Sequence, residues 1–447
     1  MAGQTHRRSR NGCGTCRTAR IKCDEARPFC KQCERRGIPY LAFIWKENSI
    51  LLPAILAAGS SHLYALGKIR QAEVLERKQK ALSTMVACVK QPRPILSGQG
   101  QNQTSFPVYL SEEAIAASSA LVGMEIMQGS RTPSIVPLLR GIRAQIEERE
   151  RARKRADTNW QIDKDTPMMA VNVKMIAYID TLCCVPCAAH PVFDQQSWQD
   201  FILPKCPQDS LDSGPDIVFG YSRRILPLIG AAASLVDDFF RKTITPEAFV
   251  FSRYRLLDQL ESACRDLPAA QHQPDAETDP SAPSTSIKIR DSNACIAAAL
   301  AHSLATQIFL VRADEGDSST VRAERPTKHP QALVEQLSGA VAAVPLDTHA
   351  ATMMVWPVFV LGCESMAVSS RRHAVEALFE RIIDKQKLLN ISVALQLLRE
   401  NMWKIGGVAA RGSSPARSLS PAKEPYRYTQ SEWVKMCWKE RLQLCSA

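Results

Sequence analysis

Apolar side chains recur every three to four residues along most of this chain, and the clearest stretch lies near its C-terminal end. Val375, Leu378, Phe379, Ile382 and Ile383 fall at i, i+3, i+4, i+7 and i+8, opposite Glu376, Glu380, Arg381 and Asp384. That spacing predicts an amphipathic helix. In the following "NISVALQLLRENMW", Asn390 is the expected N-cap of a second helix that buries Val393, Leu397 and Leu398. No sustained two-residue alternation and no internal repeat interrupts the helical period, so the chain reads as all-α. Two stretches break it: "PAAQHQPDAETDPSAPSTS" (268–286) and "GSSPARSLSPAKEPY" (412–426) are rich in proline, serine and small polar residues and read as disordered loops. Ser414 and Ser420 each precede a proline.

The longest uncharged stretch, "NSILLPAILAAGSSHLYALG" (48–67), has the length of a bilayer span. Pro53, Ser60, Ser61 and His62 dilute it, and a pair of buried core helices is the better reading, with no membrane partner. At 447 residues and 45% hydrophobic content, two or three globular domains are expected.

Charge changes the picture at one end. The formal net charge is +11, and the first forty residues carry ten Lys or Arg against three acids. A basic arm on a nearly neutral body is the footprint of a segment that meets nucleic acid, because neutralising phosphates supplies most non-specific affinity. "MAGQTHRRSRNG" lacks the apolar core of a secretory signal, so an intracellular chain with reduced cysteines is expected.

Within that basic end stands "CGTCRTARIKCDEARPFCKQCERRGIPY" (13–40). Cys13 and Cys16 are separated by two residues, as are Cys30 and Cys33, and six residues separate Cys23 from each of Cys16 and Cys30. Two Cys-x-x-Cys clamps at this density predict zinc ligation, since so polar a segment has no core in which to bury free thiols. Six residues separate Tyr40 from Cys33.

This segment resembles the fungal binuclear zinc-cluster transcription factors, whose pattern is Cys-x2-Cys-x6-Cys, a loop, then Cys-x2-Cys-x6-Cys. The resemblance implies two zinc ions, with Cys13 and Cys30 bridging, Cys16 and Cys23 completing one site and Cys33 serving the other. The sixth cysteine belongs at position 40, where Tyr40 stands, so the second site lacks a protein ligand. The resemblance further implies a helix after Cys16 that enters the major groove at a CGG triplet, with Arg20 at the base-reading position. Arg17, Lys22, Lys31 and Arg35 are read as phosphate contacts, which position the protein without specifying sequence. Ala19 stands where many members carry a second basic residue, and Pro28 matches the loop proline. A polar linker usually follows the cluster, whereas "LAFIWKENSILLPAIL" turns apolar almost at once. The sixth cysteine and the linker are missing together, as a wrongly joined exon boundary near Pro39 would leave them.

Further along, "ILLPAILAAGSSHL", "IVFGYSRRILPLIG" and above all "WPVFVLGCESM" with "RRHAVEALFERI" resemble the helical regulatory domain of these factors, in the branch that includes the acriflavine sensitivity control proteins. That domain is non-catalytic and regulatory in the family. Other candidate chemistry is modest. "CCVPC" (Cys183, Cys184, Cys187) sits in an apolar run where cysteines behave as small hydrophobes, and the alternative is a redox pair or a metal site with His190 nearby. "RARKR" (151–155) resembles a nuclear import signal, but interleaved acids favour a solvated helix face. No phosphate loop, zinc-protease helix or nucleophile elbow occurs.

The expected organisation is a basic arm over 1–12, a zinc-cluster DNA-binding domain over 13–40, an α-helical regulatory domain over 46–410, and a Ser/Pro-rich segment and tail over 411–447. The expected function is zinc-dependent, sequence-specific DNA binding at CGG-type elements and regulation of RNA polymerase II transcription in the nucleus, with no enzymatic activity. Double-stranded DNA, co-regulators or the transcription machinery are the expected partners, and a homodimer is an assembly the resemblance allows. "GKIRQAEVLERKQKALSTMV" (67–86) is helical but lacks three clean heptads. The alternative is a helical interaction protein whose incomplete cluster binds DNA weakly or without preference.

Overall fold

The computed structural model describes residues 23–24, 49–90, 107–129, 135–154, 166–205, 215–269, 283–313, 330–365, 368–403 and 432–440. Regular structure among them is helical, and the one β contact is an isolated bridge between Asp216 and Gly220. The all-α expectation therefore holds.

Helices α1 (Leu51–Ala65) and α2 (Gln71–Lys90) form a hairpin that packs on α3 (Glu112–Met127). Alanines make this close approach: Ala54 and Ala57 of α1 share one buried cluster with Ala114, Ala117, Leu121 and Met124 of α3. At 15 residues α1 is shorter than a span of about 20 residues would need. Glu113 fastens its start, accepting from Ser49 Oγ at 2.8 Å and from the Ile50 N–H at 2.9 Å.

Hydroxyl caps and N1 prolines set several helix starts. Ser111 accepts from the Ala114 N–H to open α3, and Thr166 accepts from Met169 to open α5 (Pro167–Cys184). Thr245 does the same for α7 (Pro246–Arg265), where Pro246 follows the cap as Pro167 does in α5. Between them lie α4 (Ile135–Lys154) and α6 (Leu226–Phe240).

The main core gathers around α8 (Pro283–Arg312), which contacts α6, α7, α9 (Pro330–Ala342) and α10 (Val355–Cys363). Its segment Ile289–Arg312 is apolar and long enough to cross a membrane, and 72% of the most apolar window is buried in the body. A helix apolar on all sides and enclosed by others is a core helix. Buried hydroxyls of α8 find partners within the body: Thr306 Oγ1 donates to the His302 carbonyl and Ser303 Oγ to that of Leu260 in α7. The proline-rich stretch expected as a loop to residue 286 ends earlier, since Pro283 already begins α8.

The stripe at Val375, Phe379 and Ile382 is buried on α11 (Ser369–Gln386), with Leu378 and Ile383 packed beside it. The next helix, α12 (Leu389–Leu397), corrects one expectation. Its N-cap is Leu388, with no side-chain cap bond, and Asn390 lies inside the first turn, buried. Its start abuts Gly129, whose φ is +63° and where a Cβ would meet the Leu389 carbonyl carbon at 3.0 Å. A π-helical stretch, Leu398–Trp403, continues α12. The last described helix, α13 (Trp433–Glu440), returns to α6 and α8.

Two buried titratable groups give the body opposing pH dependences. His302 donates from Nε2 to the Met353 carbonyl at 2.9 Å, and burial pulls its pKa down to about 4. The unfolded chain then takes up the proton first as pH falls from about 6.5, so this group removes stability between about 6.5 and 4. Burial pushes Asp180 up to about 6, although the Phe193 N–H donates to it at 2.6 Å. Its native state holds the proton more tightly, so stability falls as pH rises from about 3.8 through 6. The two slopes offset each other on acidification. Asp180→Asn removes the offset, and urea unfolding is expected to show a stability loss between pH 7 and pH 4 larger than wild type by about 2 kcal/mol.

Candidate nucleic-acid interface

Of the residues singled out for metal and nucleic acid, Cys23 is described, together with its neighbour Asp24. Cys23 is 5% exposed and Asp24 is exposed. Cys13, Cys16, Cys30 and Cys33, the basic residues Arg17, Arg20, Lys22, Lys31 and Arg35, and Tyr40 lie outside the described residues. Between Cys13 and Cys33 the apolar residues other than cysteine are Ala19, Ile21, Ala26 and Phe29, too few to form a core. A buried sulfur in such a segment fits a metal ligand, and a set of five thiols fits zinc.

Elsewhere the structure decides between alternatives. Cys183, Cys184 and Cys187 are buried, and the thiols of Cys184 and Cys187 donate to the carbonyls of Thr181 (3.1 Å) and Cys183 (3.2 Å). Cys183 and Cys184 pack in the main core, and no group of three or more His, Cys, Asp or Glu suited to a metal occurs among the described residues. His190 turns instead to Asp238, with Nε2 at 3.0 Å from Oδ1. In the basic run, Arg151 pairs with Glu148 and Arg153 with Glu150, the pairing of a solvated helix face on α4.

The "GYS" segment is a buried junction. Asp216 accepts from the N–H groups of Val218 (2.8 Å) and Phe219 (3.0 Å), and Lys174 of α5 donates to it at 2.6 Å. These bonds hold the Asp216 carboxyl below its ordinary pKa against the opposing effect of burial. Gly220 closes the turn with φ +56°, and a Cβ there would approach that of Cys295 to 3.2 Å. Tyr221 and Ser292 share a hydroxyl hydrogen bond at 3.0 Å, tying the turn to α8.

Sequence reasoning missed the polar centre of the body. Glu364, at the end of α10, takes both Nε (2.9 Å) and a terminal nitrogen (2.7 Å) of Arg312, and the Trp433 indole N–H as well (2.9 Å). Within the segment 411–447, expected as a Ser/Pro-rich stretch and tail, residues 432–440 are described and include α13. Trp433, Val434, Met436 and Cys437 of α13 are fully buried in the main core. The available signal was "WVKMCW", two tryptophans five residues apart with apolar residues between.

Residues 11–39 match the family described as fungal Zn(2)-Cys(6) binuclear cluster domain, and residues 39–439 match the fungal specific transcription factor domain. The two matches meet at Pro39, one residue before Tyr40. Among curated proteins, the Zn(2)-C6 fungal-type transcription factor afumD of Aspergillus fumigatus is 62% identical over 34 residues, 8% of this chain and 9% of that protein. The transcriptional regulatory protein pro1 of Neurospora crassa is 48% identical over 48 residues, 10% of this chain and 7% of that one. Sterol uptake control protein 2 of Candida albicans is 57% identical over 30 residues, 7% of this chain and 4% of that one. This chain thus spans less than a tenth of the length of these relatives. No solved structure matches it. With one family covering nearly the whole helical body and the other the cysteine-rich segment before it, the chain belongs to the fungal zinc-cluster transcription factors.

Proposed function

We propose that this chain recognises CGG-type elements in double-stranded DNA through its zinc-bound N-terminal segment and regulates RNA polymerase II transcription in the nucleus. The observation that carries the reading is the cysteine spacing from Cys13 to Cys33, interleaved with basic residues inside the matched cluster domain. Zinc, held by Cys13, Cys16, Cys23, Cys30 and Cys33, supplies the cross-link that lets so small a segment fold. Arg20 donates two hydrogen bonds to guanine O6 and N7, while Arg17, Lys22, Lys31 and Arg35 neutralise phosphates. The helical body is regulatory rather than catalytic, in keeping with its family.

Tyr40 favours a second reading, an interaction protein whose incomplete cluster binds DNA without preference. A neutral phenol is a poor zinc ligand, since its pKa near 10 disfavours the anion. Titrating the purified chain against a CGG-containing duplex and a scrambled one separates the two. Sequence recognition predicts a preference of at least tenfold that Arg20→Ala removes, a loss of about 1–3 kcal/mol. Equal, steeply salt-dependent binding to both duplexes would favour the second reading.

A further inference from the structure

The C-terminal helix α13 is joined to the rest of the body through residues 404–431, a stretch rich in serine and proline from Gly412 to Tyr426. It has eight residues, too few for a helix to stand alone in water, so the groove that receives it must hold it helical. One face is buried through Trp433, Val434, Met436 and Cys437, while Lys435 and Lys439 point to solvent. The Trp433 ring lies 6.0 Å from that of Phe309 and 6.2 Å from that of Trp356, and the Trp438 ring lies 5.4 Å from that of Phe240.

Polar anchors fix the register of this contact. The Trp433 indole N–H donates to Glu364 Oε1 at 2.9 Å, and the Trp438 indole N–H to Asp237 Oδ1 at 2.8 Å. Both carboxylates have partners within the body: Arg312 grips Glu364, and the Arg241 Nε–H donates to Asp237 at 2.9 Å. Removing α13 therefore leaves each carboxylate charge-paired and already aimed. A groove whose polar groups are paired without its occupant is preorganised to bind it.

We infer that α13 is a detachable docking helix, and that the groove over α6 and α8, ending at Glu364, is a binding site for an amphipathic helix carrying two tryptophans five residues apart. In the resting chain α13 fills the site from within. α13 and the groove belong to one chain, so docking is intramolecular and holds until a competitor of the same chemistry arrives. The partner is a helix of that pattern on a co-regulator, bound as an amphipathic helix in a groove. The inference concerns the helical body and stands whether or not the N-terminal segment reads DNA.

Cys437 reports undocking in the full chain. It is fully buried on α13, and burial raises its thiol pKa far above the ordinary range, whereas Cys184 lies in α5 within the same core. Under native conditions, pulsed alkylation read by mass spectrometry is expected to label Cys437 at least tenfold faster than Cys184. A synthetic 430–443 peptide at about 1 mM should raise the Cys437 rate further. The same peptide with both tryptophans replaced by alanine should not. Trp438→Phe in the full chain, which keeps most of the ring packing, should speed labelling of Cys437 about tenfold and leave Cys184 unchanged. Labelling of both cysteines at one common rate, or no response to the wild-type peptide, would overturn the inference by showing α13 to be an inseparable part of the core.

Discussion

Replacing Glu364 by alanine is expected to destabilise the helical body by about 3–5 kcal/mol, the cost of breaking a buried ion pair by removing one partner. The Arg312 side chain is 13% exposed and that of Glu364 is fully buried, so the arginine charge would be left with little solvent to stabilise it. The Trp433 indole N–H would lose its acceptor as well. Glu364→Gln keeps an acceptor for that indole and is expected to cost less, which separates the hydrogen bond from the charge. Urea unfolding followed by far-UV circular dichroism measures both variants. Arg399 makes the contrast. It pairs with Glu376 and Glu380 at a surface where its own side chain is 45% exposed, and Arg399→Ala should stay within about 1 kcal/mol of wild type.

The legible part of this fold is the part with a clean period. Val375, Phe379 and Ile382 announce α11 because one face is buried and the opposite face is charged. Helix α8 carries no such contrast: alanines surround it, and His302, Ser303, Thr306 and Gln307 are buried with them, so polarity does not mark its outside. Its first turn, Pro283–Ser286, also shares the composition of the loop before it. Asn390 misled because an N-cap residue type does not fix its own position. The chain enters α12 two residues earlier, with Leu388 at the N-cap position, and packing against Gly129 decides where the helix begins. The role of Trp433 was hidden for another reason, since its partners Glu364 and Phe309 are remote in sequence and no local pattern pairs them.

The cluster was legible because metal ligation imposes spacing over a few residues. Its cysteines and arginines are read directly from the order of the chain, with no tertiary contact needed. On the proposed reading both sets depend on metal, which gives the second large effect. Cys13→Ser is expected to abolish selective DNA binding and leave the salt-sensitive binding of a basic chain. Structural zinc in such segments supplies about 10–16 kcal/mol of folding free energy, far more than any single phosphate contact could replace. The resemblance gives Cys13 a bridging role, so its loss should release more metal per chain than the loss of Cys33. Plasma emission analysis of both purified variants measures the difference. The helical body should be unaffected, with circular dichroism and urea midpoint as in wild type.

Zinc-dependent recognition of DNA is the central claim, and chelation tests it most directly. The purified, zinc-loaded chain is titrated with a chelator while released metal and binding to the CGG-containing duplex are followed together. The expected result is that preference over the scrambled duplex disappears in step with zinc release and returns on adding zinc back. Selective binding that persists after the metal has gone would contradict the account.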